Sequence, residues 1–214
     1  ANIMMHPTKG AILIDFGFER TSIGIFKNLA LVNSFTFSIG ANHITKDISK
    51  VCSLNFEEAA FIRDNINFLI DNDISTFDKN NYLKDNFFKT SLYRKISKNL
   101  MIKVIEARLN EILEIIQKQL MEIGIDQNFK NDVFITGKYS NLLNIESYFS
   151  NFLKIDVKKI DINSSNKNLN LFDSYAACVG AFNIVKDGWE TEAISYSDIN
   201  RNEKISFFAR LFGN

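Results

Sequence analysis

The sequence has no excess of charge: 25 lysines and arginines stand against 25 aspartates and glutamates over 214 residues. No global field therefore draws the chain to nucleic acid or to an acidic surface. Cysteine is scarce. Cys52 and Cys178 lie far apart in apolar surroundings without metal-ligand spacing, which suits a reducing cytosol, and both read as small buried hydrophobes. There is no run of about 18 apolar residues, so no membrane-spanning helix is predicted. Ile3-Met4-Met5 is too short for the core of a signal peptide. Histidine is limited to His6 and His43, and no Ser-His-Asp or Cys-His set can be assembled. His43 has no second ligand at metal spacing and reads as a structural residue at a helix start. The one proline, Pro7, falls in a connector, and no internal repeat is present.

What is there is a succession of strands and long helices, the pattern of an α/β domain with ample length for a real core. Strands are predicted over 11–14, 22–26 and 29–38, the last alternating polar with apolar from Asn33 to Ser38. Gly40 ends this run, and a helix opens at Asn42-His43 with Ile44, Ile48 and Val51 at helical spacing. Asn55 caps a second helix, from Phe56 to about Leu69, with Glu57 and Glu58 suited to its dipole. Residues 71–90 are polar and punctuated, a loop or edge hairpin. The longest pattern runs from Ser97 to Ile123: Ile102, Ile105, Leu109, Ile112, Ile116 and Leu120 form one core-facing stripe, and Gly124 is the C-cap. A strand over 132–137 ends in glycine; a helix from Leu142 to Phe152, a strand at 155–157 and a helix from Tyr175 to about Lys186 follow. The small residues Ala176, Ala177, Gly180 and Ala181 suit close packing of that last helix.

The most informative stretch is Ala11-Ile-Leu-Ile-Asp15-Phe-Gly17-Phe-Glu-Arg-Thr21-Ser-Ile-Gly-Ile-Phe26. An apolar strand ends in an acid, a glycine lets the backbone reverse, and a second apolar strand returns. A carboxylate on such a hairpin tip can face a bound phosphate and its magnesium ion. The competing account of Asp15 is a turn aspartate capping the hairpin. Ser38-Ile-Gly-Ala-Asn-His-Ile-Thr-Lys-Asp-Ile-Ser49 follows, and Phe134-Ile-Thr-Gly137 ends a later strand.

In this order the motifs resemble FtsA, the bacterial cell-division member of the actin superfamily, over roughly residues 11–186, the C-terminal half of such a protein. Residues 38–49 look like the family's Gly-x-x-His-[Ile/Val]-Thr-x-Asp-Ile-Ala segment. The helix through Ile102-Lys-Val-Ile-Glu106-Ala-Arg108 is similar to the one ahead of the adenosine motif. Gly137 takes the place of that motif's first glycine, and Tyr175 to Gly180 resemble the family's small-residue helix.

The resemblance implies an actin-like (ribonuclease H-like) ATPase fold, a mixed sheet flanked by helices with an inserted helical/β subdomain. Residues 1–40 would form the first part of the actin-like domain and 41–123 the inserted subdomain with its connecting long helix. Residues 124–186 would form the second part with the adenosine motif, 187–202 a linker and 203–214 an amphipathic tail. A preceding N-terminal half is expected, since the chain enters a central strand soon after Ala1.

The resemblance also implies ATP and magnesium as ligands, held by Asp15, Gly17, Thr21, Arg63, Gly137 and Lys138, with Asp15 as catalytic and magnesium-facing residue. Each has a plainer reading. Thr21 is equally at home on a strand, Arg63 as a solvated helix arginine, and Lys138 as a solvent-facing substitution. Gly137 serves close approach, to nucleotide or to a neighbouring helix. The departures are specific. Where the family's phosphate loop reads Asp-x-Gly-Gly-Gly-Thr-Thr, Phe18, Glu19 and Arg20 replace small residues and a threonine. Side chains there block the approach of backbone N–H groups to phosphate. Lys138 stands for the adenosine motif's second glycine, and Ala60 for a glutamate.

At the end of the chain, Glu203-Lys-Ile-Ser-Phe-Phe-Ala-Arg-Leu-Phe212 projects as an amphipathic helix. Ile205, Phe208, Ala209, Leu211 and Phe212 form one face, and Lys204 and Arg210 are placed for lipid headgroups. The alternative is a helix docking on its own domain or on a partner. The resemblance implies a protein at the cytoplasmic face of the inner membrane, at the division site. It would polymerise with itself and bind the tubulin-like FtsZ through the inserted subdomain, with Lys46, Lys50, Arg63, Lys95 and Lys98 as candidates for the acidic FtsZ tail. Two rivals stand beside it: a degenerate, nucleotide-free scaffold of the same fold, and a sugar-kinase or chaperone-type ATPase fragment.

Overall fold

The computed structural model of the protein describes residues 10–28, 30–66, 75–125, 132–142, 144–160 and 178. The expected helix 175–186 (Cys178 apart), the linker and the tail with Lys204, Ile205, Phe208, Arg210, Leu211 and Phe212 lie outside these residues. The second helix ends at Asn65, with Ile66 already extended as its C-cap, short of the expected end near Leu69.

Five strands form one mixed sheet: β1 (Ala11–Phe16), β2 (Thr21–Lys27), β3 (Ala30–Phe37), β4 (Asp132–Thr136) and β5 (Val157–Lys159), in the order β3-β2-β1-β4-β5. The first three are antiparallel neighbours, while β4 joins β1 and β5 joins β4 in parallel. β1 is central. Its Ile12, Ile14 and Phe16 are fully buried, and Leu13 and Asp15 on the other face are half-buried. A strand apolar on both faces takes this place because it has neighbours on both sides. The outer strand β3 is the most exposed, with Leu31 and Val32 in solvent.

Between β3 and β4 the chain builds a helical subdomain of α1 (Ala41–Cys52), α2 (Phe56–Asn65) and α3 (Lys98–Glu122). Helix α4 (Ile145–Leu153) lies between β4 and β5. At the start of α1 the Gly40 N–H donates to His43 Nδ1 at 3.2 Å, so His43 is structural, as expected. Its buried side is Ile44, Ile48 and Cys52; Val51, expected there, is half exposed. A stripe drawn every three to four residues is wider than the face that packing uses. The expected cap of α2 is present: Asn55 Oδ1 accepts from the Glu58 N–H at 2.8 Å, and Glu58 accepts back from the Asn55 N–H at 3.3 Å.

Within the punctuated segment the antiparallel bridge Phe77–Leu83 closes a small hairpin, and Tyr82 bridges onward to Ser97. Helix α3 is capped by the Ser97 hydroxyl and stopped by Gly124 at φ 77°. Its buried stripe is Met101, Ile105, Leu109, Ile112, Leu113, Ile116 and Leu120, while Ile102 is only half-buried. At about 1.5–3 kcal/mol for each fully buried aliphatic side chain, this stripe is a large contribution to holding the subdomain together. Cys178 is exposed, against the expectation of a buried thiol, and Cys52 is buried as expected.

Candidate functional site

Parallel pairing of β1 with β4 places Asp15 opposite Thr136, so the acid at the end of one strand and the glycine after the other converge. Gly137 has φ 94°, and a Cβ there would collide with the Asp15 carboxylate and lie 2.7 Å from the Phe16 carbonyl oxygen. The close approach that Gly137 serves is thus to strand β1 and its acid. Burial raises the Asp15 pKa above its usual value.

The β1–β2 turn is fastened to the start of α1. Gly17 N–H donates to the Arg20 carbonyl at 3.1 Å, closing the turn. The carbonyls of Gly17 and Phe18 accept from the first N–H groups of α1, Ala41 at 3.1 Å and Asn42 at 2.8 Å. Gly40 permits this, since a Cβ there would stand 2.6 Å from both carbonyl oxygens. Thr21 is fully buried and its hydroxyl donates to the Ile39 carbonyl at 2.8 Å, so it tethers β2 to the chain entering α1. The Glu19 carboxylate accepts from the Asn42 amide and stands 4.0 Å from Lys46. Asn42 Oδ1, an acceptor, is the buried side-chain atom without a partner among the described residues.

Two aromatic side chains meet across the gap between the turns. Phe18, on the β1–β2 turn, stacks on Tyr139, just after Gly137, with ring centres 5.7 Å apart and planes 24° from parallel. Arg63 of α2 lies 4.7 Å from the centre of the same tyrosine ring. That guanidinium is 4% exposed, bonds the Thr45 hydroxyl and pairs with Asp64 at 2.7 Å. It is neither a solvated helix arginine nor an open ligand group. The Phe16 ring meets Tyr139 edge-on at 6.5 Å. Lys138 is exposed, its ammonium 5.6 Å from the Tyr139 ring centre. Tyr139 itself was not singled out in the sequence. The signal was its bulk, two residues after the glycine of a loop that must stay small to cradle phosphate.

Two further features belong to the helical subdomain. The Glu58 carboxylate, 1% exposed, accepts from the N–H groups of Thr90 at 2.7 Å and Ser91 at 2.9 Å and from the Ser91 hydroxyl. Burial alone would raise its pKa, but these bonds and that of the Asn55 N–H prevail and hold it at about 2. A groove of about 400 Å³ runs between α1 and α3, lined by Asp47 and Val51 on one side and by Lys103, Val104, Ala107, Arg108 and Glu111 on the other. Arg108 bridges it to Asp47 at 2.7 Å, a bond that raises the arginine's pKa.

A mixed sheet whose central strand ends in an acid against a glycine turn, with a helical subdomain inserted before the next parallel strand, is the architecture of the actin-like ATPases. Solved structures of that class match it. A chain of the PilM–PilN type IV pilus biogenesis complex superposes with a TM-score of 0.60 at 13% identity, covering 84% of this chain and 46% of that one. MreB5 of Spiroplasma citri, bound to AMPPNP, gives 0.58 at 19% identity over 88% of this chain and 57% of that one. At such identities the likeness is one of fold. Within the class, the model of cell division protein FtsA matches residues 12–180, and the chain belongs to that family.

FtsA of Bacillus subtilis (strain 168) is 26% identical over 149 residues, 70% of this chain and 33% of that protein. FtsA of Agrobacterium fabrum is 23% identical over 133 residues, 62% of this chain and 30% of that protein. The chain therefore spans about a third of the length of the curated relatives it matches.

The residues at the cleft do not fit a nucleoside triphosphate. The first amides of α1 are taken by the turn's carbonyls, Thr21 is committed to Ile39, and Phe18, where the family has a small residue, stacks on Tyr139. Glu19, where the family has a small residue, adds repulsion on the scale of about 4 kcal/mol per unit charge pair 4 Å apart near a protein surface. Magnesium would have Asp15 alone, and no group of three or more His, Cys, Asp or Glu suited to a metal occurs among the described residues.

Proposed function

We propose that this chain is part of an FtsA-type adapter, which holds the tubulin-like FtsZ at the cytoplasmic face of the bacterial inner membrane at the division site. The observation that carries this reading is the family match over residues 12–180. Two features support it.

The first is the groove between α1 and α3, in the subdomain 41–123. Val51, Val104 and Ala107 give it an apolar lining, and the exposed Lys103 stands alongside for an acidic tail peptide of FtsZ, while Arg108 is already paired with Asp47 and Glu111. Lys46, Lys50 and Lys95 are exposed as such a partner requires, whereas Arg63 and Lys98 are buried against Tyr139 and Phe77. The second is the amphipathic pattern of residues 203–212. Some ten residues with little net charge bind a membrane weakly, and actin-like self-assembly would multiply that affinity through valency. Nucleotide is not needed for either contact. The nucleotide-free scaffold is accordingly the second reading, favoured by the Phe18–Tyr139 contact.

The test is titration of an FtsZ tail peptide into the full-length protein. Val51→Glu and Ala107→Glu place charge in the groove at exposed positions, and each is expected to weaken binding about tenfold, some 1.4 kcal/mol. Unchanged affinity in both variants would remove the groove from the reading.

A further inference from the structure

We propose that Phe18 and Tyr139 form an aromatic plug that takes the place of nucleotide, joining the two turns and helix α2 so that the chain keeps its cleft closed with no ligand bound. The inference goes beyond the adapter reading and does not depend on it, because none of the plug residues lines the groove.

Three elements far apart in sequence meet at the plug. Phe18 comes from the β1–β2 turn, Tyr139 from the short 3-10 turn after β4, and Arg63 from α2. In an actin-like cleft these are the parts that a bound nucleotide would bridge. Here the bridge is built from side chains: ring on ring at 5.7 Å, and a buried guanidinium 4.7 Å from the tyrosine centre. Tyr139 is 7% exposed, and Phe18 covers it while keeping its own other side in solvent at 40% exposure. A phosphate chain would have to displace Phe18 and leave the buried Tyr139 ring without its stacking partner. It would meet Glu19 on the way, whose carboxylate is already directed to Asn42 and Lys46. The turn's backbone offers little compensation. Of the donors, the Gly17 N–H is bonded to Arg20, and the Ala41 and Asn42 N–H groups at the start of α1 are bonded to the carbonyls of Gly17 and Phe18.

The experiment is done on the full-length protein with magnesium and a fluorescent ATP analogue, alongside thermal melts with and without Mg–ATP. The wild type is expected to show no saturable binding up to ~1 mM and no change in melting temperature. The double variant Phe18→Gly/Tyr139→Ala is expected to gain binding by at least ~10-fold, a gain of 1.4 kcal/mol. If the double variant does not fold, Phe18→Ser, at an exposed turn position, is judged by the same criterion. Saturable binding by the wild type at or below ~1 mM overturns the proposal. So does a folded variant that gains no binding. Failure of the FtsZ-tail titration leaves these results untouched, so the two readings fail separately.

Discussion

At Gly137 the backbone takes φ 94°, and the space a Cβ would fill holds the Asp15 carboxylate and the Phe16 carbonyl. Gly137→Ala is expected to destabilise the protein by about 2–4 kcal/mol, read as a lower denaturant midpoint. The neighbouring acid carries a cost of the opposite kind. Burial raises the Asp15 pKa above 3.8, so the folded chain holds that proton to a higher pH than the unfolded chain does. Its favourable contribution is complete at low pH and is lost as pH rises through 3.8 towards the raised value. Asp15→Asn is therefore expected to melt higher than wild type at neutral pH, with the difference closing in acid. An Asp15→Asn variant that melts lower at pH 7 would show that the carboxylate has a stabilising partner after all. The sequence singled out both residues, and the pairing of β1 with β4 brings them together. Which groups press on them was not legible, because that depends on the β1–β4 register rather than on neighbours along the chain.

Helix α2 is held at its first turn. The Asn55–Glu58 capping box was visible in the sequence, since such bonds span three residues. The reach of the same carboxylate to Thr90 and Ser91 was not, because it needs the loop after the hairpin to fold back onto the helix. Glu58 has a folded pKa of about 2, below its usual 4.5. Its stabilisation is present above pH 4.5 and is lost as pH falls towards 2. Glu58→Gln is expected to lower stability at pH 7 by about 2 kcal/mol, the scale of a hydrogen bond to a charged group. In this variant the wild type's loss of stability between pH 4.5 and 2 should be reduced.

Helix α3 is the other element where prediction and structure can be weighed. Its length, cap and stop were legible from Ser97, the apolar period and Gly124. The exact rows were not: Met101 and Leu113 are buried, while Ile102 lies at the edge. Leu109→Ala, at a fully buried site, is expected to cost about 2–5 kcal/mol. The exposed Val51 is a contrast on α1, and Val51→Ala should stay within about 0.5 kcal/mol.

At the scale of the whole molecule, the sheet and the helical subdomain are joined through the β1–β2 turn, which carries α1 on its carbonyls. Gly40→Ala would drive a methyl group onto the carbonyls of Gly17 and Phe18 at 2.6 Å. It is expected to loosen that junction and destabilise by about 2–4 kcal/mol, measured by hydrogen exchange at the amides of Ala41 and Asn42. For membrane attachment, deletion of residues 203–212 is expected to abolish co-sedimentation of the full-length protein with anionic liposomes while leaving its binding to the FtsZ tail peptide intact. Loss of the peptide binding as well would mean that the tail docks on its own domain.

The order of strands and helices, their caps and the two glycine turns were determined by the sequence alone. Such features depend on backbone bonds a few residues long and on the period at which apolar side chains recur. The motifs over 11–49, 102–111, 134–137 and 175–180, taken in their order, likewise indicated the family. The tertiary structure alone decided what fills the cleft. Phe18 and Tyr139 become neighbours through sheet pairing, Thr21 turns inward to Ile39, and Arg63 is drawn beneath a ring instead of into solvent. Contacts between residues so distant along the chain follow from how the strands align and pack, and no local pattern encodes them.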